Sequence, residues 1–359
     1  MQGKLAKAEI ILSSDGCDEI KLIGDECRHG WNQYVFSNSS HSVYHQYDWR
    51  DMMHKIFNTE TYYLAAFCMG HIVGVLPFAR LKSRIFGDFM VSLPYFNYGG
   101  VLANSDRIAC LLWQSATKLG ERLGVSHIEI RHTEPVLPVS MVRKDKVAML
   151  LTLPSSSEEL FKQLSSKLRS QIRRPQREGA LTQVGGQEIL HDFYRVFSKN
   201  MRDLGTPVYP KSFFASILEQ FPDVTKLIVV RLANEPVAAA FLIGHNGTME
   251  IPWASSLRKF NHLSVNMQLY WDALRYSIEH GYRSFDFGRC TLDSGTYQFK
   301  KQWGAKPAQL YWYYWMRSGG DLPYINHTNP KYRLFIALWK SLPLWFANWL
   351  GPKLIKHLP

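Results

Sequence analysis

From residue 161 to residue 180 the chain carries six basic side chains against one acidic one, Glu178. Arg169, Arg173 and Arg177 recur every four residues, which on a helix stacks them along one face. Such a stripe is either solvated or an anion site. Solvated helices usually mix charge signs, so the excess favours anion binding. Two loops hold groups able to grip a polar ligand. Leu93-Pro94-Tyr95-Phe96-Asn97-Tyr98-Gly99-Gly100-Val101 sets three aromatics and an Asn between turn-forming residues, and it equally suits a packed turn. Residues 201–210 offer Arg202, Asp203, Thr206 and Tyr209. Late in the chain a polar loop leads into a short helix bearing Lys300 and Lys301. His41 and His45 have i, i+4 spacing but no third ligand, so no metal site is expected. His127 and His132 flank a strand and read as structural. The chain has no Walker or dinucleotide-type Gly loop and no Gly-x-Ser-x-Gly elbow. What remains suits group transfer by positioning and charge stabilisation, without a covalent nucleophile.

The elements that would hold these groups occur twice. Residues 62–131 and 226–288 each run through a β-rich segment, a tight polar turn and long strands. A polar loop, a long amphipathic helix ending at a glycine (Gly124, Gly281) and a short closing strand follow. A duplicated α+β unit is expected to bind its ligand in a cleft between its copies. Leu160, Leu164, Leu168 and Ile172 repeat every four residues, predicting one buried face on a basic helix spanning 158–179. Its expected cap is in Ser155-Ser156-Ser157, its end is at Gly179, and Pro175 is expected to kink or stop it. Asp48 is a candidate N-cap for a helix with Trp49, Met52, Met53 and Ile56 on one face.

At 359 residues the chain fits two domains, and 46% hydrophobic content excludes disorder. The boundaries expected are 1–150, 151–317 and a basic amphipathic tail over 318–359, set off by Ser318-Gly319-Gly320-Asp321. A formal charge of +12 points to an anionic partner or simply to solubility. The five cysteines (Cys17, Cys27, Cys68, Cys110, Cys290) are scattered, with no Cys-x-x-Cys pair, which suits a reduced cytoplasmic setting. The run Ala8-Glu9-Ile10-Ile11-Leu12 has the length of a strand, not of a signal peptide. No uncharged apolar stretch reaches the roughly 18 residues of a spanning helix. Residues 331–359 hold five Lys/Arg and no acidic residue among Trp and Leu. They are expected either to lie on the cytoplasmic face of the inner membrane or to dock on the protein's own core.

Taken in order, Lys167-x-Arg169-x-x-Ile172-Arg173-Arg174-x-x-x-x-Gly179, Gly205-Thr206-Pro207, Phe285-Asp286-Phe287-Gly288-Arg289 and Phe299-Lys300-x-x-Trp303-Gly304 resemble the FemAB family. These are relatives of the peptidoglycan-bridge aminoacyltransferases, built from two acetyltransferase-like (GNAT) domains. With the 94–100 loop and the 342–352 tail, the chain looks most like the FemAB-like subgroup of the exosortase/PEP-CTERM exopolysaccharide systems. The resemblance covers nearly the whole chain. It implies an α+β fold of tandem GNAT-like domains with a central cleft. The implied activity is acyl or aminoacyl transfer to an amine of a cell-envelope or exopolysaccharide precursor, small or lipid-linked. It makes Lys300 the catalytic candidate, stabilising a developing oxyanion or the negative end of the donor. Asp286 would orient Lys300 or take the amine's proton. Asn97, Tyr98, Arg202, Tyr209 and Arg289 would bind substrate. Arg169, Arg173, Arg258 and Lys259 would meet donor phosphates.

The chain departs from that pattern twice. Where CoA-dependent enzymes place a Gly-rich pyrophosphate loop, residues 256–262 are basic and lack glycine. The coiled-coil arm that bridge-forming enzymes associate with tRNA is absent. The donor, acyl-CoA or aminoacyl-tRNA, is therefore open, and no bound cofactor and no DNA partner are expected. Two other functions fit the residues: an RNA- or polysaccharide-binding adaptor using the basic helix, and a peripheral membrane scaffold recruited by the tail.

Overall fold

The computed structural model describes residues 11–12, 19–84, 86–320, 322 and 330–358. Residues 8–10 of the expected first strand, Cys17 and Asp321 lie outside the described residues, and of that strand Ile11–Leu12 is present. The chain forms two units. One holds residues 1–144, 309–323 and 357–359, and the other 145–308 and 324–356.

In the first unit a hairpin joins Glu60–Cys68 to His71–Ser83. It turns at Met69 and Gly70, both at positive φ (48° and 80°), as a tight two-residue connection requires. Helix Asp106–Leu123 opens where Ser105 Oγ accepts the Ile108 N–H, and it ends at Gly124, φ 71°. Its Ile108, Leu112, Ala116 and Leu119 pack with Leu64, Leu76, Met90 and Ile128 of the sheet. His127–His132 then returns parallel to Gly87–Val91, with Met90 opposite Ile128 and Val91 opposite Glu129. Asp48 does stand at the N-cap of Trp49–Phe57 but makes no capping bond; Arg28 holds its carboxylate at 2.9 Å.

Beyond Glu129 the two parallel strands part, and the loop 92–101 fills the gap. The Ser92 N–H donates to Glu129 O (3.0 Å), and the Arg131 N–H donates to Ser92 Oγ (3.2 Å). The Val101 N–H donates to His132 Nε2 (2.8 Å). A Cβ on Gly100 would lie 2.5 Å from that nitrogen, so the loop needs glycine to approach it. His132 is buried, and its Nε2 is an acceptor and hence unprotonated. Burial, then the charge of His45, pushes its pKa down to about 3. The unfolded chain, at about 6.5, takes this proton first. His132 therefore contributes fully to stability above pH 6.5, and the contribution falls with pH at up to ~1.4 kcal/mol per unit. Urea melts between pH 7 and pH 4 should show a shallower slope in His132→Gln than in the parent. Equal slopes would rule this assignment out.

The second unit repeats the succession. Hairpin Thr225–Leu232 and Glu235–His245 turns at Ala233 and Asn234, φ 47° and 66°. Helix Val265–Glu279 ends just ahead of Gly281, φ 77°. Ser284–Thr291 then runs parallel to Thr248–Ser256. Sheet order is Leu181–Gly185, Thr225–Leu232, Glu235–His245, Thr248–Ser256, Ser284–Thr291, Lys146–Thr152, Lys306–Gln309.

Three expectations are corrected. The basic helix over 158–179 is two helices, Ser157–Gln163 and Ser166–Arg177. Leu164 is extended between them, and Ser165 opens the second by accepting the Leu168 N–H at 3.2 Å. All four residues of the apolar stripe are buried, and Pro175 sits inside the last turn without stopping it. Next, the units divide elsewhere than at 150 and 317: residues 145–150 lie with the second unit and 309–317 with the first. Lys146–Thr152 pairs with Ser284–Thr291 in the second sheet, and Tyr311–Met316 pairs with His127–His132 in the first. The aromatic run fits there by alternation. Tyr313 joins the core, while Tyr314 donates to Glu129 Oε2 at 2.6 Å and Trp312 lies under Arg131. Lastly, the tail is not set apart. Pro330–Ser341 and Leu344–Ile355 both contact helix Leu190–Leu204. Among the described residues no helix is long and apolar enough to cross a membrane.

Candidate functional site

In the second unit Met249, Ile251, Phe285 and Phe287 belong to one core. Alternation along a strand turns Glu250 and Asp286, which lie between them, to the opposite face. The register sets these two side by side, and both are buried. They are also the last paired step. Among the described residues the parallel ladder covers Thr248, Met249 and Glu250, after which 251–256 and 287–291 diverge. The first unit closes the same fork with its own loop 92–101, through the bonds of Ser92 and Val101.

The strand Ser284–Thr291 bulges at the mouth of this fork. Its register against Lys146–Thr152 shifts between Asp286 and Arg289, and Gly288 takes φ 75°. Asp286 Oδ1 accepts the Gly288 N–H at 2.7 Å and fixes the bulge. On the other side of the same residue, Lys300 Nζ donates to Gly288 O and Arg289 O, both at 2.9 Å. Lys300 and Asp286 thus meet through Gly288.

Lys300 reaches this point from helix Gly295–Lys301. Ser294 Oγ starts that helix by accepting the Tyr297 N–H at 3.2 Å. Phe299 and Trp303 anchor it against Tyr270, with ring centroids 4.9 and 6.2 Å away. The ammonium is buried. Desolvation lowers its pKa below the ordinary lysine value, while Cys290, Asp286 and Glu250 oppose that shift. Two of its three N–H donors are engaged, so the third is available beside two carboxylates. An oriented ammonium can stabilise a developing oxyanion, and the buried carboxylates beside it can accept a proton from an incoming amine.

The other expected residues are placed as follows. Tyr98 is buried against Tyr44 (6.0 Å), and Phe96 packs on Tyr44 and Trp49 (4.7 Å each). The 92–101 loop is therefore a packed turn, with Asn97 partly exposed. Arg202 is on a helix, not a loop. Its guanidinium donates to Asp203 (2.8 Å) and to Leu342 O (2.9 Å), tying down the tail. The Tyr209 ring packs on Phe213 and Trp253. Arg289 is exposed on the bulged strand. Arg258 is exposed on the turn Arg258–Leu263, and Lys259 pairs with Glu235 at 2.8 Å.

Arg169 and Arg173 line an open groove of about 560 Å³ with Lys162, Arg275, Phe161 and Trp271. Arg173 lies 5.0 Å over the Phe161 ring, which meets Trp271 edge-on at 4.9 Å. Sequence reasoning missed this aromatic floor, as it missed Glu250. The signal for Glu250 was a lone carboxylate in the apolar strand Thr-Met-Glu-Ile-Pro-Trp.

Residues 162–301, within the second unit, match the model of an acetyltransferase (GNAT) domain. No curated protein matches the sequence. Among solved structures the chain is similar to FemX, with a TM-score of 0.62 at 14% identity, covering 82% of this chain and 97% of that one. It is also similar to L-PGS from Bacillus licheniformis (TM-score 0.55, 12% identity, 90% and 98% covered). A third likeness is to the tandem GNAT protein of the clavulanic acid biosynthesis pathway (0.51, 10%, 85% and 100%). The fold is mixed α+β, with two sheets, of the tandem GNAT type.

Proposed function

We propose that this protein is an aminoacyltransferase. It moves an aminoacyl group from charged tRNA to an amine of a cell-envelope or exopolysaccharide precursor at the cytoplasmic face of the membrane. The observation that carries the reading is Lys300, buried and aimed by two carbonyls at the mouth of an open strand fork beside Glu250 and Asp286. The acceptor amine attacks the donor's ester carbonyl: the new C–N bond forms first, giving a tetrahedral oxyanion, and collapse of that oxyanion breaks the C–O bond to the ribose. Lys300 steadies the oxyanion between these events. Glu250 or Asp286 takes the amine's proton, and the leaving hydroxyl recovers one. The names of the similar structures, FemX and L-PGS, support aminoacyl transfer. The exopolysaccharide acceptor rests on the motif resemblance alone.

Two features favour RNA over CoA as the donor. The segment before the long helix is a turn without glycine, with Lys259 engaged by Glu235. The excess of basic side chains lies instead along the groove of Arg169 and Arg173, whose aromatic floor suits an unpaired base. Calorimetric titration and thermal shift against a pool of aminoacylated tRNA, the same pool deacylated, acetyl-CoA and CoA, at two salt concentrations, test this. The expected result is preference for charged tRNA, weakening with salt. Salt-insensitive binding of CoA without tRNA binding would make it an acyl-CoA enzyme. Equal binding of any polyanion, with no turnover, would leave an RNA- or polysaccharide-binding adaptor.

A further inference from the structure

We propose that the outward side of the two C-terminal helices docks the protein on anionic lipid bilayers. The inference stands independently of the transfer reading. In Leu344–Ile355, Ala347, Gly351 and Ile355 are buried at i, i+4, i+8 spacing. Gly351 lies so near Val208 that a Cβ would meet its backbone nitrogen at 2.8 Å. Two positions round the helix, Trp345, Trp349 and Lys353 form a second stripe of the same spacing, about 200° away. Trp345 is 71% and Trp349 56% exposed, and the Lys353 ammonium sits 3.4 Å over the Trp349 ring. In Pro330–Ser341 the pattern recurs. Trp339 is buried while Leu334 and Leu338 are 61% and 58% exposed.

Each helix is therefore apolar on both sides, and only one side is used internally. The inner sides are fixed. Arg202 holds Leu342 O, and Gly205 lies so close under Ile336 that a Cβ would come within 2.6 Å of its side chain. The outer face is thus preformed, not folded on contact. Its occupant must accept indoles, leucines and cations together, since residues 331–359 carry five Lys/Arg and no Asp or Glu. An anionic bilayer does so: indoles settle at the headgroups, leucines enter the acyl region, and lysines meet lipid phosphates. A second copy of this face would bring like charges together.

The test is sedimentation of the full-length protein with vesicles of phosphatidylglycerol and phosphatidylcholine, and with phosphatidylcholine alone. Binding to the mixed vesicles is expected, decreasing with salt. Trp345→Ala/Trp349→Ala should weaken it at least about tenfold, at unchanged melting temperature because both rings are exposed. Failure of the parent protein to bind mixed vesicles, or equal binding by the double variant, overturns the proposal. So does a parent dimer that the double variant splits, which would make the face an interface between copies.

Discussion

Lys300→Met is expected to lower transfer by roughly 10²–10³-fold, the usual effect of removing one oriented donor from a developing oxyanion. Methionine keeps most of the buried stem. The variant loses two charge-assisted bonds to Gly288 O and Arg289 O but also relieves the desolvation of an ammonium. Because Asp286 and Glu250 then lose a cationic neighbour, its melting temperature should fall, and the rate is compared well below that temperature, where the variant is still folded. Lys301→Met, on the exposed side of the same helix, should lower neither. The readout is single-turnover transfer of labelled amino acid from charged tRNA into an envelope-precursor fraction. A second signature follows from the lowered pKa of Lys300. If the ammonium is the working form, the parent's rate declines as pH rises through a value below that of ordinary lysine. The variant should lack this alkaline limb. A fully active Lys300→Met would remove Lys300 from the mechanism.

Arg131→Met carries the largest expected loss of stability, about 3–5 kcal/mol. Arg131 and Glu129 are both buried. Nε donates to Oε1 at 2.6 Å, another guanidinium nitrogen donates to Phe96 O, and the guanidinium stacks 4.5 Å over Trp312. Removing the cation leaves a buried carboxylate with the Tyr314 hydroxyl beside it, and it frees the loop that plugs the first fork. The double variant Arg131→Met/Glu129→Leu should recover much of the loss, because no uncompensated charge remains. Urea denaturation of parent, single and double variants measures both effects. A single variant within about 1 kcal/mol of the parent would show that solvent reaches this pair.

The placement of Lys300 on a short helix was legible because it lies in a local motif, with an N-cap three residues after the bulged strand and aromatic anchors at fixed spacing around it. The duplicated hairpin, long helix and closing strand were legible for the same reason: turn chemistry and helical period act over a few residues. What escaped depends on register. Nothing local places Glu250 beside Asp286, since that pairing joins residues 36 apart across a helix crossover. Nor does composition distinguish Arg202 as a ligand-binding group from Arg202 as a clamp on Leu342. The aromatic loop around Asn97 and Tyr98 carries the same residue types as a binding loop. It packs because Tyr44, Trp49 and Phe57 offer it rings to meet.

The strand Tyr311–Met316 gives the chain an order of assembly. Tyr313 and Tyr314 complete the first sheet against Ile130 and Glu129, yet they leave the ribosome after the whole of residues 145–308. Until then His127–His132 presents an open edge, with Glu129 missing one of its partners. The second unit, by contrast, has all seven strands once Gln309 has emerged. The sheet that is begun first should therefore be the sheet that closes last.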